Sequence, residues 1–174
     1  MYQLLSRISN KYFSKHNHHL FKWGFNLSPM YRRTTGRVTK VSPEFMRVEI
    51  KIPISYKNKN YVGTIFGGSL FAATDPIYMV QLIQILGREY VVWDKSSTVK
   101  FKRPASSDAY ALFQFTEDEI NNLKSKIAHE KEMDLTKMVH LKSKEGKVFC
   151  EIEKVLYVAD KEYYKQKRKT KPNS

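Results

Sequence analysis

The chain has 174 residues, 41% of them hydrophobic, and carries 31 Lys and Arg against 17 Asp and Glu, a formal net charge of +14. That length suits one domain of about 100 to 200 residues with a core of its own, and the apolar content excludes a wholly disordered chain. One cysteine, Cys150, excludes an intramolecular disulfide and a Cys-rich zinc framework, so a reducing, cytoplasmic setting is expected.

No Asp or Glu precedes Glu44, whereas Arg7, Lys11, Lys15, Lys22, Arg32, Arg33, Arg37 and Lys40 do. An Arg-rich, acid-poor start has the make-up of an organellar transit peptide. Leu4, Leu5, Ile8, Tyr12 and Phe13 lie near the 3.6 period, which favours a helix that packs on the domain. The start does not read as a secretory signal. His16, His18 and His19 match no metal-site spacing and are expected on a solvated loop. Ser28 to Thr35 reads as a Pro-containing connector, followed by two strands. In the second, Met46, Val48, Ile50 and Ile52 alternate with Arg47, Glu49 and Lys51, the period of a sheet with one buried face.

Residues 53–64, with Pro53, Asn58, Asn60 and Gly63, read as a loop. From Phe66 to Gly87 the one charged residue is Asp75, and the length predicts a mostly buried helix ended by Gly87. Residues 89–103 predict a strand with a break near Asp94 to Ser96, closed by Pro104. Trp93, at that break, is expected in the core. Lys100, Lys102 and Arg103 are expected on a solvated face. Tyr110 to Phe115 predicts a further strand. Thr116 and Glu119 form a capping box for a short helix carrying Ile120, Leu123 and Ile127. Strands over 133–142 and 147–158 follow, joined by a turn at Lys144, Glu145 and Gly146. His129 and His140 are expected on the surface, and Lys165 to Ser174 as a disordered basic tail. Every apolar stretch is interrupted short of the ~20 residues that span a bilayer, so no transmembrane helix is expected.

The predicted architecture is α+β: a curled antiparallel sheet wrapped around one long central helix, with an N-terminal helix and a small helical insertion. The divisions are 1–33, N-terminal helix and connector; 34–160, the domain; and 161–174, the basic tail.

The segment Asn60 to Asp75, NYVGTIFGGSLFAATD, concentrates the chemistry. Glycine costs up to ~1 kcal/mol against alanine within a helix, so Gly67 and Gly68 at a helix start ask for a reason. Tight packing is one. The other is that the first amides of a helix lack intrahelical acceptors and sit at its positive end, where they can hold a polarised carbonyl, as an oxyanion hole does. No Lys-Ser or Lys-Thr follows, which excludes a phosphate-binding P-loop. Asp75 lies two turns after Gly68 on the same face, about 10 Å away, too far for one helix to bring both to one carbonyl. Two copies packed antiparallel across a dimer axis would place Asp75 of one beside Gly67 and Gly68 of the other. There Asp75 could act as nucleophile or as the base that activates water. Asp75-Pro76 is also a good helix start. The continuous apolar stripe through Leu70 and Ile77 favours a kinked helix instead.

On Asn60, Gly63, Thr64, Gly67, Gly68, Leu70, Phe71 and Asp75 the sequence resembles the hotdog-fold acyl-CoA thioesterase superfamily, above all its phenylacetyl-CoA thioesterase branch. The resemblance covers about residues 34–158. Within the superfamily the chain is similar to an uncharacterised thioesterase-like group known only as a domain of unknown function. It implies a hotdog fold, hydrolysis of an acyl-CoA thioester and a homodimer, sometimes paired into a tetramer. It implies no metal and no cofactor beyond the coenzyme A of the substrate. By the same resemblance Gly67 polarises the carbonyl, Asp75 attacks or activates water, Asn60 places substrate or water, and Gly68 and Thr64 meet the substrate. Two positions depart from the motif. Phe66 stands where the family has His and is expected to line the acyl pocket, and Pro76 follows the Asp. Lys100, Lys102 and Arg103 would attract the phosphates of coenzyme A. Two other functions compete: an acyl-CoA or acyl-chain binder without catalysis, and a nucleic-acid or anionic-membrane module using the KQKRKTK segment. No nucleic-acid motif accompanies that segment, so no specific nucleic-acid partner is expected.

Overall fold

The computed structural model describes residues 17–170. The helix expected over Leu4 to Phe13, His16 and the last four residues lie outside the described residues. Helix α1 (Asn17–Leu27) turns Phe25 into the core, with the Phe21 ring stacked on it at 5.3 Å. His18 and His19 belong to this helix, not to a loop. The connector is likewise partly ordered as a one-turn helix, α2 (Pro29–Arg33). Pro29 stands at its start, where the fixed φ suits a first turn, and Ser28 Oγ accepts from the Tyr31 amide.

Six strands follow: β1 (Arg37–Val41), β2 (Arg47–Ile52), β3 (Tyr90–Phe101), β4 (Ala109–Gln114), β5 (Glu132–Lys142) and β6 (Val148–Asp160). They form one antiparallel sheet in the order β1-β2-β4-β5-β6-β3. Alternation buries one face, through Val48, Ile50 and Ile52 on β2 and Ile152, Leu156 and Val158 on β6. The β5–β6 turn closes at Gly146, whose φ of 89° suits a residue without a Cβ.

Onto this face packs the central helix, in two segments, α3 (Gly67–Thr74) and α4 (Ile77–Leu86). Asp75 and Pro76 between them keep right-handed helical dihedrals, so the helix is kinked rather than restarted. Pro76 has no N–H to offer the Ala72 carbonyl. The next carbonyl, Ala73, accepts from the buried Tyr31 hydroxyl at 3.1 Å, which fastens the kink to α2. Gly87, at φ 80°, ends α4 as expected. By length and composition alone, Gly67–Leu86 would also suffice to cross a membrane. Here it is the core helix: Leu70, Ala73, Ile77, Tyr78 and Leu82 are buried. Buried Gln81 donates to the Phe45 carbonyl at 2.7 Å, and the Tyr78 hydroxyl to that of Met138 on β5 at 3.2 Å.

Helix α5 (Glu117–Glu130) is the insertion, with the expected capping box and with Ile120, Leu123 and Ile127 buried. Two expectations fail. Trp93 is 54% exposed: β3 alternates, Val92 and Asp94 face inward, and the indole is left on the outer face opposite Tyr157. The basic segment is helical rather than disordered through Thr170, as α6 (Lys161–Thr170). Asp160 Oδ1 accepts from the Tyr163 amide at its start, and Lys167 pairs with Glu132 of β5, a partner distant in sequence.

The expected break in β3 is a bulge. Asp94 faces Leu156 and Ser96 faces Val155, leaving Lys95 as an extra residue. Asp94 and Ser97 therefore both lie on the inner side, opposite Leu156 and Lys154.

Candidate active site

Gly67 and Gly68 open α3 after Phe66, which supplies no side-chain cap. Among the described residues neither amide has a hydrogen-bond acceptor, so two donors stand at the positive end of a helix. The glycines also answer a packing demand. A Cβ on Gly67 would come within 2.7 Å of the Phe101 ring, and one on Gly68 within 2.3 Å of the Phe66 ring.

Beside Gly67 opens a cleft of about 470 Å3, lined by Thr64, Ile65, Leu70 and Phe101, with Lys102 and Arg103 at its side. The combination is an apolar trough next to free amides and two cations. Arg103 is exposed, and Lys102 pairs with Glu151 at 3.3 Å. Lys100 alternates with Val99 and Phe101 and is exposed on the other face of β3, away from the cleft. Phe66 is 58% exposed and does not line the cleft; its ring lies over Gly68.

The loop before α3 is held by two asparagines. Asn60 Oδ1 accepts from the Val62 and Thr64 amides, both at 3.1 Å, and its Nδ2 donates to Thr64 Oγ1. The Asn60 carboxamide is thus engaged in closing its own turn. Asn58 is buried and ties the loop inward through the Ser55 amide, Thr35 Oγ1 and the Pro53 carbonyl.

Asp75 stands at the other end of α3, about 12 Å from Gly67 at the helical rise. Its side chain is 45% exposed, and its Oδ1 accepts a 2.7 Å hydrogen bond from Lys154 Nζ. Lys154, on the inner face of β6, is 0% exposed. Its ammonium also lies 2.8 Å from Oδ1 of Asp94, an ion pair off the hydrogen-bonding direction. Burial holds the Asp94 carboxyl above the usual carboxylate range; Lys154 pulls it down and the charge of Asp75 pushes it up. Neither Lys154 nor Asp94 is among the residues that sequence reasoning assigned to the site. The signal for Lys154 was a lone cation in the run Ile152, Lys154, Leu156, Val158, where period two demands an apolar residue.

No cluster of metal-binding side chains occurs among the described residues. Cys150 is buried and its thiol is pushed up to about 11 by burial, which suits packing and not nucleophilic attack. One chain thus joins Thr64, Gly67, Lys102 and Arg103 on the cleft, and separately Asp75 with Lys154 and Asp94.

A family model described as a domain of unknown function, DUF4442, matches residues 17–158. No curated protein matches the chain. Among solved structures, the chain is similar to a Pseudomonas aeruginosa protein of unknown function described as a probable thioesterase. That similarity has TM-score 0.73 and 18% identity, over 82% of this chain and 95% of that one. A Chlorobaculum tepidum protein of unknown function gives TM-score 0.64 and 16% identity, over 84% and 94%. A Haemophilus influenzae thioesterase gives TM-score 0.59 and 12% identity, over 86% and 92%. At these identities the likeness concerns the fold.

Proposed function

The chain belongs to the DUF4442 family, and from that premise we propose that it is a hotdog-fold acyl-CoA thioester hydrolase, acting as a homodimer in the cytoplasm. The observation that carries the reading is the pair of unengaged amides at Gly67 and Gly68, opening on an apolar cleft flanked by Lys102 and Arg103. The acyl chain takes the trough and the cations meet the phosphates of coenzyme A. In this reading the thioester carbonyl sits against the Gly67 and Gly68 amides of one subunit. Asp75 of the other takes a proton from water as its oxygen bonds to the carbonyl carbon. The oxyanion collapses, the carbon–sulfur bond breaks, and the proton passes to the leaving thiolate, giving a carboxylic acid and free thiol. Thr64 and Gly68 contact the substrate, and Asn60 acts by shaping the loop that carries them. The likeness to solved structures described as thioesterases supports the same reading.

A second reading, acyl-CoA binding without hydrolysis, is favoured by one observation: Oδ1 of Asp75 is already occupied by Lys154. Thiol release from short, medium, long and aromatic acyl-CoAs, with wild type and Asp75→Ala side by side, separates the two. Turnover in the wild type that falls at least about 100-fold in the variant is expected. Binding by calorimetry without turnover on any substrate would replace the hydrolase with the binder.

A further inference from the structure

Lys154 is the one charged residue among the described residues with a fully enclosed side chain, and the fold has arranged two anions around it. Asp75 comes from the helix kink, where Pro76 breaks the ladder. Asp94 comes from β3, turned inward by the Lys95 bulge. From the remaining neighbours come Ser97, opposite Lys154 on β3, and Lys137, opposite it on β5 and itself paired with Glu119. The Phe71 ring of α3 lies 5.8 Å from the ammonium. A buried ammonium is retained only when paired, and breaking such a pair leaves the partner charge exposed to a poor dielectric. One cation between two carboxylates leaves the cluster a single net negative charge. Of its oxygens, the two Oδ1 atoms face Lys154, and the half-exposed carboxylate is that of Asp75.

We infer that Lys154 and Asp94 are the positioning pair of this site: Asp94 anchors the Lys154 ammonium, which grips Oδ1 of Asp75 and presents Oδ2 as the oxygen that meets water. Lys154 is enclosed and does not touch substrate; it acts through Asp75. Naming Oδ2 as the reacting oxygen rests on the hydrolase reading, whereas the grip on Asp75 does not.

The test compares wild type, Lys154→Arg and the double variant Lys154→Met/Asp94→Asn, which removes one cation and one anion together and leaves the net charge unchanged. In the double variant kcat is expected to fall about 100-fold with KM within about threefold, the signature of a misaimed group. Lys154→Arg, which keeps a cation against Oδ1, is expected to retain kcat within about tenfold of wild type. A folded double variant with unchanged kcat would overturn the pair. The Asp75 carboxyl carbon-13 resonance at neutral pH, assigned by its loss in Asp75→Asn, reads the grip without turnover, because losing the ammonium from Oδ1 changes the chemical shift of that carbon. A resonance that moves between wild type and the double variant, in a protein that hydrolyses no acyl-CoA, would uphold the pair and remove the hydrolase; an unmoved resonance removes the pair whatever the turnover.

Discussion

At Gly67 two demands meet in one residue. Its amide is a free donor at a helix end, and its missing side chain makes room for the Phe101 ring. An alanine keeps the N–H and gains up to ~1 kcal/mol of helix propensity, so loss of the donor would not explain a defect in Gly67→Ala. The contacted atoms are the far end of a ring that is 59% exposed and free to swing. The ring also lines the cleft, so its displacement is expected to narrow the trough. Thermal unfolding of Gly67→Ala should stay within a few degrees of wild type, while acyl-CoA affinity by calorimetry falls about tenfold. Unchanged affinity would separate the cleft from the ligand. The sequence shows the two glycines and Asp75 plainly, because each breaks the pattern around it. It does not show that Asn60 spends its carboxamide on its own loop, since the acceptor set of a side chain depends on where the chain turns next.

Helix α5 is legible from its ends. Thr116 Oγ1 accepts from the Glu119 amide at 3.1 Å and Glu119 Oε2 from the Thr116 amide at 2.8 Å, the reciprocal pair that the spacing predicts. Thr116→Ala is expected to cost about 1 kcal/mol in urea unfolding without changing the site. Glu119 adds a pH dependence. Partial burial raises its carboxyl, but hydrogen bonds from Lys137 and the Thr116 amide outweigh that and hold it below the usual glutamate value. A carboxyl lowered by folding contributes stability above its unfolded value, and that contribution is lost as pH falls through the folded value. Between pH 5 and pH 3, the melting temperature of Glu119→Gln should therefore drop less than that of wild type; equal drops would sink the assignment. Local spacing suffices for this helix because both partners of each cap lie within one turn. Helix α6 is the contrary case. Six of its ten residues are charged, which reads as solvated tail, and its hold on Glu132 and Tyr157 comes from strands that no local window contains.

Across the whole molecule, the element order, the antiparallel sheet and the kinked core helix follow from periodicity and breakers read in the sequence. The pairing of β3 with β6 at the sheet end is tertiary and is not legible there. That pairing leaves β3, twelve residues long, with one edge open, and an open edge of this length is a template for a further strand. It also carries exposed Trp93 and Phe101. A second copy pairing along this edge is the geometry expected to bring the two half-sites together. Light scattering should accordingly give twice the 20.5 kDa chain mass at micromolar concentration. A strictly monomeric protein would end the shared-site mechanism, because one chain holds its amides and its carboxylate at opposite ends of α3.

The bulge at Lys95 makes the inward identity of β3 a question of parity. Held in register at Ser97 but paired residue for residue, with Lys95 taken into the ladder instead of bulged, the same strand would turn Trp93 toward the core and Asp94 toward solvent. Whether an indole or a carboxylate meets Lys154 is thus decided by counting residues, not by choosing them. In relatives of this chain that carry a residue at the Lys95 position, a column-by-column match at Asp94 has meaning only where that residue is bulged out of the ladder.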